Sequence, residues 1–399
     1  MRRHPAGVPA ADKSAAGVPD ADASSDHVLV AAIRDEILRD GPIPFARFME
    51  LALYHPERGY YRTAERRAGP EGDFLTAPEA SPLFGRTIAR TVDDAWHRLG
   101  EPERFVVREY GAGSGGLAAG LVDGLVRAGS PLLGALRYVP VEANPHRLAE
   151  LEGRHEAIRP GLPVVPVPAW APGSATGRAF VGLALANEFV DALPVHVFEW
   201  RGREPRQVLV AWTGDGLTDA WGPPDPAVVA YLARVGAEPV EGLRAEVCLA
   251  MAAWLGDVAA QLERGWLLAI DYGLPASQLR SRARPKGTLK GSRRQRVEAD
   301  PYRNVGHQDL TAHVDLTGLE LAAAEAGFLP AGAASQGRYL AAAGMGELLV
   351  PALEEEGTIT ARLAARSAAM WLLDPRRTGG FAVRAYGRNA PPGPLLGLE

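Results

Sequence analysis

The chain has 399 residues, 47% of them hydrophobic, a formal net charge of -5 and a single cysteine, Cys248. That length and apolar content suffice for one large or two modest buried cores, while the small net charge excludes a global field steering the protein to nucleic acid or an anionic membrane. A lone cysteine excludes an internal disulfide framework and fits a reducing compartment, and no run reaches the roughly 18 apolar residues of a membrane-spanning helix.

The expected location is therefore the cytoplasm, and the wealth of Ala, Gly, Pro and Arg favours a bacterial one. No nucleic-acid partner and no membrane span are expected. Residues 1–27, rich in Ala, Gly, Pro, Ser and Asp, lack the apolar stretch of a signal peptide and carry too many acids for a typical transit peptide. They read as a disordered tail.

Residues 28–99 read as N-terminal helices and a loop. Apolar residues recur at helical spacing over 28–39, Gly41-Pro42 ends the pattern, and 44–54 reads as a second helix. The Gly- and Pro-rich stretch 59–83 contains Gly72-Asp-Phe-Leu-Thr-Ala-Pro-Glu79 and is expected as an ordered loop over a site or a plain surface connection. Residues 100–390 then read as one catalytic domain. Strands are expected at 104–108, 136–141, 164–167, 180–186, 265–270 and 381–385, with helices over 116–127, 146–155, 247–262 and 319–326. Near-continuous apolar strands alternating with helices predict an α/β fold with a mostly parallel, Rossmann-like sheet covered on both faces. Insertions are expected at 195–245, in which 195–221 alternates like antiparallel strands, and at 275–309, as a polar, basic arm; residues 391–399 are expected to be a flexible C-terminus. The arm is crowded with Arg and Lys from 280 to 296 without aromatics to stack bases. It reads as a solvated, mobile loop or as a docking surface for an acidic protein partner.

The turn after the first strand is Glu109-Tyr-Gly-Ala-Gly-Ser-Gly115. Gly111, Gly113 and Gly115 let backbone approach a ligand without a Cβ and adopt positive φ. With Gly116 the spacing also fits a dinucleotide fingerprint, in which a helix N-terminus receives a pyrophosphate. Glu109 tilts the choice, because a carboxylate at the strand end repels a pyrophosphate and suits a cationic amino-acid group. That points to S-adenosyl-L-methionine. Glu142, at the end of the second strand, can accept both ribose hydroxyls of an adenosine, or is a solvated strand-end acid. Asn187-Glu-Phe-Val-Asp-Ala-Leu-Pro194 follows the fourth strand. Ligands in open α/β sheets lie beyond the carboxyl ends of the strands, so Asn187, Glu188 and Asp191 are expected to face the reacting methyl group, with helix capping as the plainer reading. Asp271 and Tyr272 end the fifth strand similarly, or make a turn. His307, Asp309, His313 and Asp315 match no common zinc spacing, and no metal site is expected.

Those motifs, with Ile270-Asp-Tyr-Gly273, Asp309-Leu-Thr-Ala-His-Val-Asp315 and Leu372-Leu-Asp-Pro375, resemble the MidA family in order and spacing from about residue 42 to 386. The resemblance implies a class I S-adenosylmethionine-dependent methyltransferase acting on a protein arginine, as the mitochondrial members do on a respiratory complex I subunit. Asp73 and Thr76, in the loop over the site, are expected among the cofactor contacts, and the 306–315 segment is expected to supply hydrogen-bonded structural histidines or substrate contacts, the latter from His313 and Asp315. One departure bears on the target: members tend to carry an aromatic and a histidine after Gly-Thr-Leu, whereas Gly287-Thr-Leu289 is followed here by Lys-Gly-Ser-Arg-Arg-Gln-Arg296. A small-molecule methyltransferase and a non-catalytic cofactor-binding assembly factor stay open as rivals. The oligomeric state is not legible.

Overall fold

The computed structural model describes residues 25–63, 72–73, 75–159, 161–165, 167 and 178–399; most of the expected N-terminal tail lies outside them. Of the residues read as that tail, Ser25 is buried and Asp26 caps a helix, accepting the N–H groups of Val28 and Leu29 at 3.0 and 2.9 Å. That helix, α1 (His27–Asp40), buries Leu29, Ile33 and Ile37 at four-residue spacing. It is followed by α2 (Phe45–Tyr54) and by α3 (Pro82–Arg98), which starts at the Ser81 cap.

The main sheet is built from β1 (Phe105–Tyr110), β2 (Leu136–Val141), β3 (Phe180–Asn187), β4 (Leu262–Asp271), β5 (Leu329–Ser335) and β6 (Ala382–Arg388), in the spatial order β5-β6-β4-β3-β1-β2. α4 (Gly116–Ala128), α5 (Pro145–Ile158), α6 (Ala250–Gln261) and α7 (Leu316–Glu325) lie between them in the chain. β1, β2, β3 and β4 pair in parallel. Residues Val164 and Val167 bridge in parallel to Tyr138 and Val141, so the third expected strand is a ragged outer edge.

One strand departs from the parallel run: β6 is antiparallel to both β4 and β5. The chain leaves β5 at Ser335 and enters β6 at Ala382, which are paired across one edge of the sheet, so β6 has to run back. The order otherwise follows the doubly wound plan.

Strand residues alternate between two apolar cores. Phe105, Val107, Leu183, Leu185, Leu268 and Ile270 pack with α3 and α4 on one face. Val106, Ala184, Ala186 and Leu267 pack against Trp254, Leu255 and Leu319 on the other. α3 and α4 touch backbone to backbone: a Cβ on Gly85 would sit 2.7 Å from Gly120 Cα, a separation no side chain tolerates.

The insertion after β3 forms the expected antiparallel strands, His196–Arg201, Glu204–Thr213, Gly216–Gly222 and Arg244–Val247, with Ile43–Pro44 on one edge. α1 and α2 pack on this smaller sheet through Ile33, Phe45, Phe48, Val197 and Val208. The basic arm is ordered too, as a three-stranded sheet of Arg296–Glu298, Lys290–Arg293 and Asp309–Thr311. Nor is the C-terminus free. Leu395 and Leu398 are buried, the Leu395 N–H donates to Ala331 O and the Ala333 N–H donates to Glu399 O, both at 3.0 Å, so the last residues cover edge strand β5. Among the described residues no helix is long and apolar enough to cross a membrane.

Candidate active site

The carboxyl ends of β1 to β4 open into a cleft of about 1730 Å³. Glu109 ends β1 there, 3% exposed, with its carboxylate accepting the Tyr138 hydroxyl. Burial pushes its pKa up to about 8. A buried acid of this kind gains when a cation reaches it.

The glycine turn follows. Gly111, Gly113 and Gly115 have φ of 70°, 55° and 81°, the left-handed region that favours glycine. Their surroundings differ. A Cβ on Gly111 would meet the Phe189 ring at 3.1 Å and one on Gly115 would meet Leu151 at 2.7 Å, whereas one on Gly113 meets nothing within 4 Å. Gly113 lines the cleft, and Gly115 does not. Glu142 reaches the same turn, accepting the Gly113 N–H at 2.7 Å and the Asn144 N–H at 2.8 Å; burial raises its pKa.

The loop before α3 stands over this turn. Glu79 accepts the Ser114 hydroxyl at 2.6 Å beside the N-terminus of α4, where a negative charge is favoured. Thr76 and Glu79 line the cleft. Asp73 does not: it is buried behind the wall, accepting the Tyr60 hydroxyl at 2.9 Å and the Arg294 N–H at 2.6 Å.

The other end of the cleft is acidic. Glu188 takes φ of 50° just after β3, a strained setting for a non-glycine residue, held by its N–H donating to Ile270 O at 2.9 Å. Its carboxylate accepts the Ala77 N–H and the Asn187 side-chain amide, each at 3.2 Å. Burial, then the charge of Asp191, raises it to about 8. Asp191 rises to about 6 by burial, tempered by a hydrogen bond from Tyr272. Asp309 rises to about 7 by burial while accepting the Tyr61 hydroxyl at 2.6 Å. Beneath them Asp271 accepts the N–H groups of Val190, Asp191 and Tyr272 at 3.0, 3.2 and 2.8 Å, and burial beside Asp191 and Glu188 pushes it well up.

Aromatic rings wall this acidic end: Tyr54 stacks on Tyr61 at 5.5 Å, and Tyr272 meets His313 edge-on at 5.1 Å. Lys290 lies 4.8 Å over the Tyr272 ring. Burial, then Lys290, lowers His313 to about 4. Asn187 Oδ1, Asp191 Oδ1 and His313 Nδ1 are buried without a hydrogen-bond partner among the described residues, and all three residues line the cleft. Orphaned polar atoms around one cavity are what a ligand would satisfy.

Asp315, read as a substrate contact, is instead committed elsewhere. It accepts the Gly318 N–H at 3.1 Å at the start of α7, accepts the Tyr231 hydroxyl at 2.8 Å and pairs with buried Arg280 at 2.7 Å, and it does not line the cleft. Sequence reading missed Tyr54 and Tyr61, placed Lys290 only in the basic arm, and gave Asp309 no role beyond a segment of structural or substrate contacts; no local motif marks them.

Residues 87–334 match the model of a family described as S-adenosyl-L-methionine-dependent methyltransferases. The chain belongs to this family. The methyltransferase is 33% identical to a COG1565 superfamily member from Burkholderia thailandensis whose crystal structure holds S-adenosyl-homocysteine; the match covers 98% of this chain and 97% of that one with a TM-score of 0.82. It is also 29% identical over 90% of its length to the Drosophila melanogaster mitochondrial protein named protein arginine methyltransferase NDUFAF7 homolog, 84% of which is covered. The rat mitochondrial NDUFAF7 protein arginine methyltransferase is 26% identical, with 74% and 70% covered.

The residues present fit this cofactor. Gly113 leaves open space where a side chain would stand, and buried Glu109 and half-buried Glu142 flank it from two adjacent strand ends.

Proposed function

We propose that this methyltransferase modifies an arginine side chain of a protein substrate in the bacterial cytoplasm. The observation that carries the reading is the acidic set of half-buried Glu188 with buried Asp191 and Asp309 beside the Tyr54, Tyr61 and Tyr272 rings. A guanidinium is flat, permanently cationic and suited to bidentate carboxylate pairing and to aromatic faces. The acceptor named for the Drosophila and rat relatives agrees with it. A respiratory-complex subunit, the target the family resemblance implies, is the first candidate substrate.

Glu109 and Glu142 would hold the cofactor, Glu109 its cationic amino-acid end and Glu142 its ribose hydroxyls, with Gly111 and Gly113 giving backbone access. S-adenosylmethionine supplies an electrophilic methyl group. Glu188 and Asp191 would grip the guanidinium and localise its positive charge away from the attacking nitrogen. As the N–C bond forms and the sulfur–methyl bond breaks, the nitrogen gains positive charge. One N–H proton then passes to a carboxylate of the pair and on to water. Orientation supplies most of the rate.

The test is to incubate the enzyme and radiolabelled S-adenosylmethionine with extract of cells lacking it, then hydrolyse the protein fraction to amino acids. Label in methylarginine is expected; label confined to small molecules or to other amino acids would reject the reading.

A further inference from the structure

From Tyr272 to Val297 the chain carries no acid but has eight basic residues: Arg280, Arg282, Arg284, Lys286, Lys290, Arg293, Arg294 and Arg296. Among the described residues, only Arg280 of these is in an ion pair, with Asp315. Elsewhere surface arginines are commonly matched, as Arg47 is to Glu36 and Glu50, and Arg127 to Asp123 and Glu355. The arm is thus a local excess of unmatched positive charge on a protein whose net charge is -5.

These charges are held in place. Glu246, on the smaller sheet, accepts the N–H groups of Thr288 and Leu289 at 3.0 and 3.1 Å. Arg293 and Arg296 face each other across the hairpin, a like-charge pairing that costs stability. The connecting Arg294 and Gln295 both take positive φ, 48° and 60°, where a two-residue hairpin turn ordinarily uses Asn and Gly. Asp73 offsets the strain by accepting the Arg294 N–H through its carboxylate and the Gln295 N–H through its carbonyl. Backbone strain and unneutralised charge together mark a feature kept for something outside the chain. The track also reaches the cleft: Arg284, Lys290 and Ser292 line it.

We infer that the arm docks an acidic segment of the protein substrate, next in sequence to the arginine that enters the cleft. This rests on the arginine-methyltransferase reading for the acceptor but not for the binding event. Charge complementarity selects the partner, and the ordered hairpin presents it without further folding cost. Nucleic acid is the competing polyanion, disfavoured because residues 280–296 offer no aromatic ring for bases.

Binding is measured first, by fluorescence anisotropy, with the S-adenosylhomocysteine-saturated enzyme. The probes are two peptides of one length, each with a single arginine, flanked in one by Asp and Glu and in the other by Ser and Gln, together with an oligouridine. The acidic peptide should bind about tenfold or more tighter than the neutral one, and the gap should close in high salt. It should also close in the triple variant R282E/K286E/R296E, whose three side chains lie outside the cleft lining, with S-adenosylhomocysteine affinity unchanged as the check on folding. Equal binding of the two peptides, or a gap that survives the variant, overturns the proposal, as does oligouridine binding tighter than the acidic peptide. A charge-dependent gap in binding with no methyl transfer to either peptide would spare the docking proposal and count against arginine as acceptor.

Discussion

The Glu188 carboxylate accepts the backbone N–H of Ala77 at 3.2 Å, so the acid at the end of β3 is tied to the loop that also places Glu79 on the glycine turn. One loop therefore braces both halves of the cleft. In Glu188→Gln the side chain keeps its size and the Ala77 contact but can no longer ionise against a guanidinium. Turnover should fall by roughly a hundredfold or more, the scale of losing one preorganised electrostatic contact, while cofactor affinity stays near wild type. Single-turnover kinetics and calorimetry separate the two, and loss of cofactor binding would assign Glu188 to the cofactor instead.

Gly113 and Gly115 should behave oppositely. Valine at Gly113 enters open cleft space, so Gly113→Val should abolish cofactor binding while the protein stays folded, with a backbone cost of about 1–3 kcal/mol. Gly115→Val runs into Leu151 and should chiefly lower the melting temperature. Calorimetry and thermal unfolding on both variants check this; similar behaviour would mean Gly113 does not face the cofactor.

Glu142→Ala removes the acceptor of the Gly113 N–H as well as the expected ribose contact. Cofactor binding should weaken roughly ten- to a hundredfold, matching one or two charge-assisted hydrogen bonds. An unchanged dissociation constant would remove Glu142 from the cofactor site.

Stability should depend on pH with a definite sign. Glu109 and Glu188 titrate near 8 in the folded chain and Asp309 near 7, against ordinary values of 4.5 and 3.8. Between those limits the folded state holds protons that the unfolded chain has released, so stability falls as pH rises, by about 1.36 kcal/mol per pH unit for each such proton. Urea unfolding of the ligand-free protein should give a lower midpoint at about pH 8 than at about pH 5.5. The slope should flatten in Glu109→Gln. Equal midpoints at the two pH values would mean these acids are ionised throughout.

Much of the cofactor side was legible because strand, turn and strand-end acid are local. Glu109, the three glycines and Glu142 lie within about forty residues of one another, on a pattern whose chemistry follows from charge and φ. The acceptor side was less so. Tyr61 meets Asp309 across 248 positions of sequence, and no periodicity reports such a pair. β5 reads Leu-Pro-Ala-Gly-Ala-Ala-Ser, poor in strand-forming residues, and is held by its pairing to β6 and the C-terminal cover. The arm was open between loop and docking surface because its turn lacks glycine and asparagine, so its hairpin gives no turn signal. Asp73 and Asp315 were placed at the ligand by motif, whereas their oxygens are engaged by Tyr60, Arg294, Tyr231 and Arg280.

The most direct measurement of the central claim follows deuterated methyl groups from S-adenosylmethionine into extract proteins by tandem mass spectrometry, with wild type and Glu188→Gln in parallel. Labelled methyl is expected on arginine side-chain nitrogens of a protein in the wild-type reaction, with most of that signal lost in the variant. Label on another residue or only on small molecules, or an equal arginine signal from the variant, would contradict it.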